Sequence, residues 1–104
     1  MEKKMYLALP YTINGATVTD KTVVHENEVY VWIKRPGTSK PHRQYKDPLS
    51  IGSSQMYKYC DTEIEAWQWI KEVMINEIVQ LNAVLQENQD ELNRIEEIIK
   101  TQNA

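Results

Sequence analysis

The chain has one cysteine, three glycines, four prolines and two histidines among 104 residues, and each shortage removes a class of function. A lone Cys60 excludes an internal disulfide framework and fits a reducing cytosol. The glycines fall at turn signals, which leaves no glycine-rich phosphate loop. His25 and His42 stand seventeen residues apart, with no Cys or acid at metal-ligand spacing, so no zinc site is expected. Glu63, Glu65 and Glu72 suit capping and solvation better than acid–base work. Apolar runs last only a few residues, too short to cross a membrane. Pro10, Thr12 and Asn14 interrupt the N-terminal segment too early for a signal peptide. The expectation is a cytoplasmic binding protein with no catalytic residue, no metal and no cofactor.

Proline and glycine are missing altogether from Thr62 to Thr101, and this absence has a constructive meaning. A helix of those forty residues spans about 60 Å, against a radius of gyration near 13 Å for a compact 100-residue domain. The sixty residues before it cannot bury such a helix, so part of its apolar face is expected to meet another chain. Thr62 with Glu65 three residues on matches a capping box, and the acids at 61, 63 and 65 suit the positive end of the helix dipole. From Ala66 to Leu85 apolar residues surround most of the helix, which predicts burial on two fronts, a sheet and a partner. Met74, Ile78, Leu81, Leu85, Asn88, Leu92, Ile95 and Ile99 then follow each other in steps of three and four, a heptad seam. Its polar member, Asn88, either sets register in a buried seam or faces water where the seam opens. The seam predicts an even-numbered homo-oligomer.

The first sixty residues read as an antiparallel sheet. Met5 to Ile13 is a strand that Pro10 demotes to an edge or a bulge. Asn14-Gly15 is a hairpin signal. Ala16 to Val24 and Glu28 to Lys34 follow as strands, joined by a turn at His25-Glu26-Asn27. Residues 35–55, with Pro36-Gly37, Pro41, Pro48 and Gly52, read as a long loop, and Gln55 to Cys60 as a fourth short strand. The predicted fold is α+β: three to four antiparallel strands in residues 1–60, then one long self-associating helix in 61–101, a single domain overall.

Charge divides along the same line. Residues 1–60 hold nine Lys/Arg against five Asp/Glu, and residues 61–104 hold three against ten. Lys34, Arg35, Lys40, Arg43 and Lys46 fall within thirteen residues that contain no acid, with His42 among them. Tyr30 and Trp32 lead into this stretch on one strand face with Lys34, and Tyr45 and Tyr57 accompany it. Aromatic faces stack on bases and cations hold phosphates, so these ten residues suit a small nucleotide-like ligand or a short nucleic acid. The competing reading has Tyr30 and Trp32 covering the underside of the helix, against Trp67 and Trp69. A solvated basic loop, paired with acidic residues elsewhere, is the plainest alternative.

The order Ile13-Asn14-Gly15-Ala16-Thr17-Val18, then Trp32-Ile33-Lys34, then Lys40-Pro41-His42-Arg43, then Tyr59-Cys60-Asp61-Thr62-Glu63-Ile64-Glu65-Ala66-Trp67 resembles small accessory proteins of bacteriophages and prophages. Among them it looks like the Thoeris anti-defence family, oligomeric sponges that bind cyclic ADP-ribose signals and keep them from the host's effector. That resemblance implies a phage protein acting in the bacterial host cytoplasm, which sequesters its ligand without chemistry. Other phage proteins of this length inhibit CRISPR nucleases through acidic surfaces. Here Glu87, Asp90, Glu91, Glu96 and Glu97 would form such a surface against a bacterial defence protein. Nucleic-acid binding through the basic loop is a third reading, opposed by the acidic helix.

Overall fold

The computed structural model describes residues 2–37 and 39–103. Thr38, inside the expected 35–55 loop, lies outside them. The fold is α+β, with five antiparallel strands and one C-terminal helix. The strands are β1 (Lys3–Leu9), β2 (Thr17–Glu26), β3 (Tyr30–Ile33), β4 (His42–Tyr45) and β5 (Lys58–Cys60), in the spatial order β4-β3-β2-β1-β5. The helix α1 runs from Glu63 to Gln102. The chain divides into two compact units, Met1–Val73 and Met74–Ala104.

β1 is an interior strand, paired with β2 on one side and β5 on the other. The expectation of an edge or bulged strand fails because Pro10 lies just past the last ladder residue, Leu9, where its missing N–H costs nothing. The Asn-Gly signal belongs to a longer connection than a two-residue hairpin. Gly15, at φ 91°, donates its N–H to Thr12 O at 3.0 Å, closing a turn inside the link from Leu9 to Thr17. The next turn also sits later than expected. β2 continues through His25 and Glu26, and Asn27 makes the turn by accepting the Val29 and Tyr30 amides on Oδ1 at 2.9 and 2.7 Å.

The expected 35–55 loop contains two ordered elements. One is β4, and the other is a 3-10 helix, Pro48–Ile51. Asp47 caps the 3-10 helix by accepting the Leu49 N–H at 3.1 Å, and Gly52 ends it at φ 83° by donating to Leu49 O. The fifth strand is therefore one more than expected.

The two outer strands of the sheet meet. Lys46 donates its N–H to Val29 O at 2.8 Å and accepts the Tyr59 N–H on its carbonyl at 2.9 Å. The Tyr59 hydroxyl also donates to Gln44 Oε1. The sheet is thus curled around its own interior, which Met5, Val23, Val31, Ile33 and Tyr59 fill, flanked by Leu7 and Tyr57. Fully burying a Val or Met side chain contributes about 1.5–3 kcal/mol, and these residues come from four different strands. At the margin of this core Glu26 pairs with both Lys3 and Lys46.

Thr62 caps α1 as its sequence predicts, accepting the Glu65 N–H on Oγ1 at 3.2 Å and the Ala66 N–H on its carbonyl at 3.2 Å. Within the first unit the buried helix positions are Ala66 and Ile70. Burial of the helix against a sheet through to Leu85 is therefore not found. Trp67 is 41% exposed, and Ile75, Ile78, Val79, Leu81, Val84 and Leu85 are all exposed. In the second unit the seam residues from Ile78 to Ile99 expose 42–59% of their surface, and Asn88 is exposed with them.

Candidate functional site

β3 alternates strictly: Val31 and Ile33 are buried while Tyr30 and Trp32 are half-buried. Pairing carries that alternation onto β4, where Tyr45 lies opposite Tyr30 and Arg43 opposite Trp32. The four side chains therefore share the outer face of the curled sheet, as period-two geometry requires. A bulge adds a fifth. Val23 pairs with Ile33 and His25 with Trp32, so Val24 is an extra residue and the side-chain alternation resets. Without it His25 would fall on the core side with Val23.

The result is a row of touching rings. His25 lies 4.6 Å from Trp32, Trp32 lies 5.9 Å from Tyr30, and Tyr30 stacks on Tyr45 at 5.0 Å with 29° between planes. All three separations fall in the attractive range for aromatic pairs. The Arg43 guanidinium carbon sits 4.4 Å above the Tyr30 ring, a cation–π contact. Its own neighbour Tyr30 raises the Tyr45 phenol above its ordinary value, so that hydroxyl is neutral at physiological pH. An exposed guanidinium over neutral rings can hold a phosphate while the rings accept a base.

Of the ten residues expected to hold a ligand, Tyr30, Trp32, Arg43 and Tyr45 come together in this row. Lys34, Arg35 and Lys40 gather elsewhere, around a shallow depression of about 410 Å³ that Ser39, Pro41 and Glu2 also line. There the Lys34 ammonium pairs with Glu2 at 3.3 Å. His42 pairs with Ile33 and so points to the core side of β4. Lys46 spends its charge on Glu26 at 2.8 Å and lines a different depression with Lys58 and Trp69. Tyr57 packs on the core, edge-on to Tyr59 at 5.9 Å, and burial raises its phenol. The alternative in which Tyr30 and Trp32 meet Trp67 and Trp69 is replaced by the ring contacts above. Sequence reasoning missed His25, and no local signal announces the bulge that turns it outward.

Other chemistry is sparse. Burial pushes the Cys60 thiol up, which makes it a poor nucleophile. Among the described residues no three His, Cys, Asp or Glu side chains are grouped to hold a metal ion, and no helix is long and apolar enough to cross a membrane. On the helix, Glu91 is forked by Arg94, Glu97 pairs with Lys100 at 3.6 Å, and Asp90 accepts from Gln86 at 3.0 Å. Compared with protein-family models, with curated proteins and with solved structures, the chain finds no match.

Proposed function

We propose that the protein binds a nucleotide-type ligand without chemistry, holding a base on the Tyr30–Tyr45 and Trp32 rings and a phosphate on Arg43. The observation that carries this reading is the aromatic row with a guanidinium lying on it, on the outer face of the curled sheet where Arg43 and Tyr45 are exposed. Base–aromatic stacking contributes about 1–3 kcal/mol per base, and four rings in a row offer more than one place for it. In the counter-defence reading the ligand is a cyclic nucleotide or a cyclic ADP-ribose-type signal, sequestered in the host cytoplasm by an even-numbered homo-oligomer built on the helix. The exposed seam supports that assembly.

The test is titration calorimetry with AMP, ADP-ribose and a cyclic dinucleotide, followed by mass spectrometry of the ligand released on denaturation. Binding with intact release supports the proposal. A cleaved product makes the protein an enzyme instead. Tyr30→Ala and Arg43→Gln should each weaken binding at least tenfold, about 1.4 kcal/mol.

One observation favours a second reading, single-stranded nucleic acid. The row lies open on a strand face, whereas small-ligand sites are usually concave and enclosing. A 12-residue oligonucleotide binding far more tightly than AMP, with an affinity that falls steeply with salt, selects this reading. The inhibitor reading, through the acidic helix, is less well supported, because Arg94 and Lys100 hold two of its five carboxylates.

A further inference from the structure

The exposed seam carries information about orientation as well as association. We infer that residues 74–99 pair with a second copy of this chain in antiparallel order, in a self-complementary register centred between Gln86 and Glu87. This deepens the reading of the helix as an assembly element and rests on it.

α1 is continuous over the seam, so the steps of three and four hold every seam residue on one stripe. An antiparallel partner can be slid along this stripe by whole heptads. Only one position leaves no seam residue at the ends without an opposite. It sets Met74 against Ile99, Ile78 against Ile95, Leu81 against Leu92, and Leu85 against Asn88. A slide of one heptad either way strands the pair at one end, Ile95 and Ile99 or Met74 and Ile78, in water.

Asn88 fits the same register. The two Asn88 side chains of such a pair fall in adjacent central layers, offset by three residues, or about 4.5 Å along the axis. Their carboxamides bracket the twofold axis and can hydrogen-bond to each other across it, which satisfies the polar group that the seam buries. Sliding by a heptad one way sets Asn88 against Ile78, with its counterpart ten residues off, and the other way against Leu92, with its counterpart four residues off, so the centred register brings the two carboxamides closest.

Charge favours the same order. Residues 74–86 carry one charge, Glu77, whereas residues 87–103 carry five carboxylates and two cations. A parallel pair lays the two acidic halves side by side. It also sets Glu91, which flanks the seam before Leu92, beside Glu96 of the next heptad on the other copy, twice per pair. Antiparallel order puts each acidic half beside the nearly uncharged one and brings Glu91 to Val84 and Glu96 to Ile75. Like charges across a coiled-coil seam select against a pairing, and helix dipoles add to the preference for opposed chains.

The test is a spin-label distance measurement on the full chain with Cys60→Ala and Lys100→Cys. Antiparallel pairing separates the two labels by 27 positions along the axis, about 40 Å. Parallel pairing leaves no axial offset, so the labels lie within the width of two packed helices, about 20 Å. A peak near 40 Å is the expected result. A peak near 20 Å overturns the antiparallel order while leaving self-association standing. No resolved distance, with a monomer in sedimentation, removes the association itself. A second label at Glu96→Cys guards against local fraying at the helix end, with about 29 Å of axial offset expected from 19 positions.

Discussion

Tyr59 does two things with one side chain: its ring fills the core and its hydroxyl donates to Gln44 Oε1. Burial holds its phenol far above the ordinary value. A group whose pKa rises on folding stabilises the fold below its unfolded value, near 10, and loses that contribution as pH climbs beyond it. Tyr59→Phe should therefore cost about 1–3 kcal/mol at pH 7, because Gln44 loses its partner. It should also flatten the alkaline fall in Tm above about pH 10, which thermal melts across that range measure. Glu26 behaves oppositely. Lys3 and then Lys46 hold its carboxyl below the usual range, so its contribution is present above the unfolded carboxylate value and is lost as pH falls. Glu26→Gln should lower melts at pH 7 only slightly, since both pairs are partly solvated, and should make the acid limb shallower by that same small amount. At this scale the sequence was a fair guide to residue type and a poor one to grouping. Tyr30, Trp32, Arg43 and Tyr45 are brought together by β3–β4 pairing, which no local pattern announces. His42 and Lys46, equally basic on paper, are turned inward or neutralised by alternation and by Glu26.

Among the elements, those whose cause is local were legible. The start of α1 depends on Thr62 and the residues just after it, all within one turn, and the structure places the cap as expected. Thr62→Ala should cost about 1 kcal/mol, read as a lower denaturation midpoint with an unchanged slope. β4 was missed for a physical reason. His42-Arg43-Gln44-Tyr45 has no apolar alternation, and it is a strand only because β3 offers it a ladder. The bulge in β2 is likewise a product of pairing. Deleting Val24 should remove the extra residue and leave a regular ladder with Val23 opposite Ile33 and His25 opposite Trp32, so the ring row should survive the deletion. Trp fluorescence close to that of the wild-type chain would mark the retained contact, whereas His25→Ala should change it by opening one end of the row.

For the whole molecule, the two units depend on different physics. Residues 1–73 bury a core of their own. Residues 74–103 have no buried side chain, and under the proposed self-association a second copy covers their apolar stripe. Stability of the second unit should then depend on protein concentration, as it does for any association coupled to folding. Leu81→Lys with Leu92→Lys, an opposed pair in the antiparallel register, should weaken self-association more than a hundredfold. Sedimentation equilibrium would register this as a shift to monomer, with a loss of helix signal on dilution and a sheet that stays folded. A double variant that sediments like the wild type would show that the seam is not what joins the chains. The length of the helix was plain in the sequence because Gly and Pro are absent from it. Which of its apolar residues are buried was not, because apolar content alone does not say what covers a face.

The junction at Lys46, where the two outer strands meet, sets an order on how the polypeptide is completed. β1 cannot gain its second neighbour until β5, more than fifty positions later, has left the ribosome. Until then its edge is an open template for other strands, and pairing so distant in sequence is slow to form. A chain ending at residue 57 should consequently precipitate on expression, while one ending at residue 73 should stay in the supernatant.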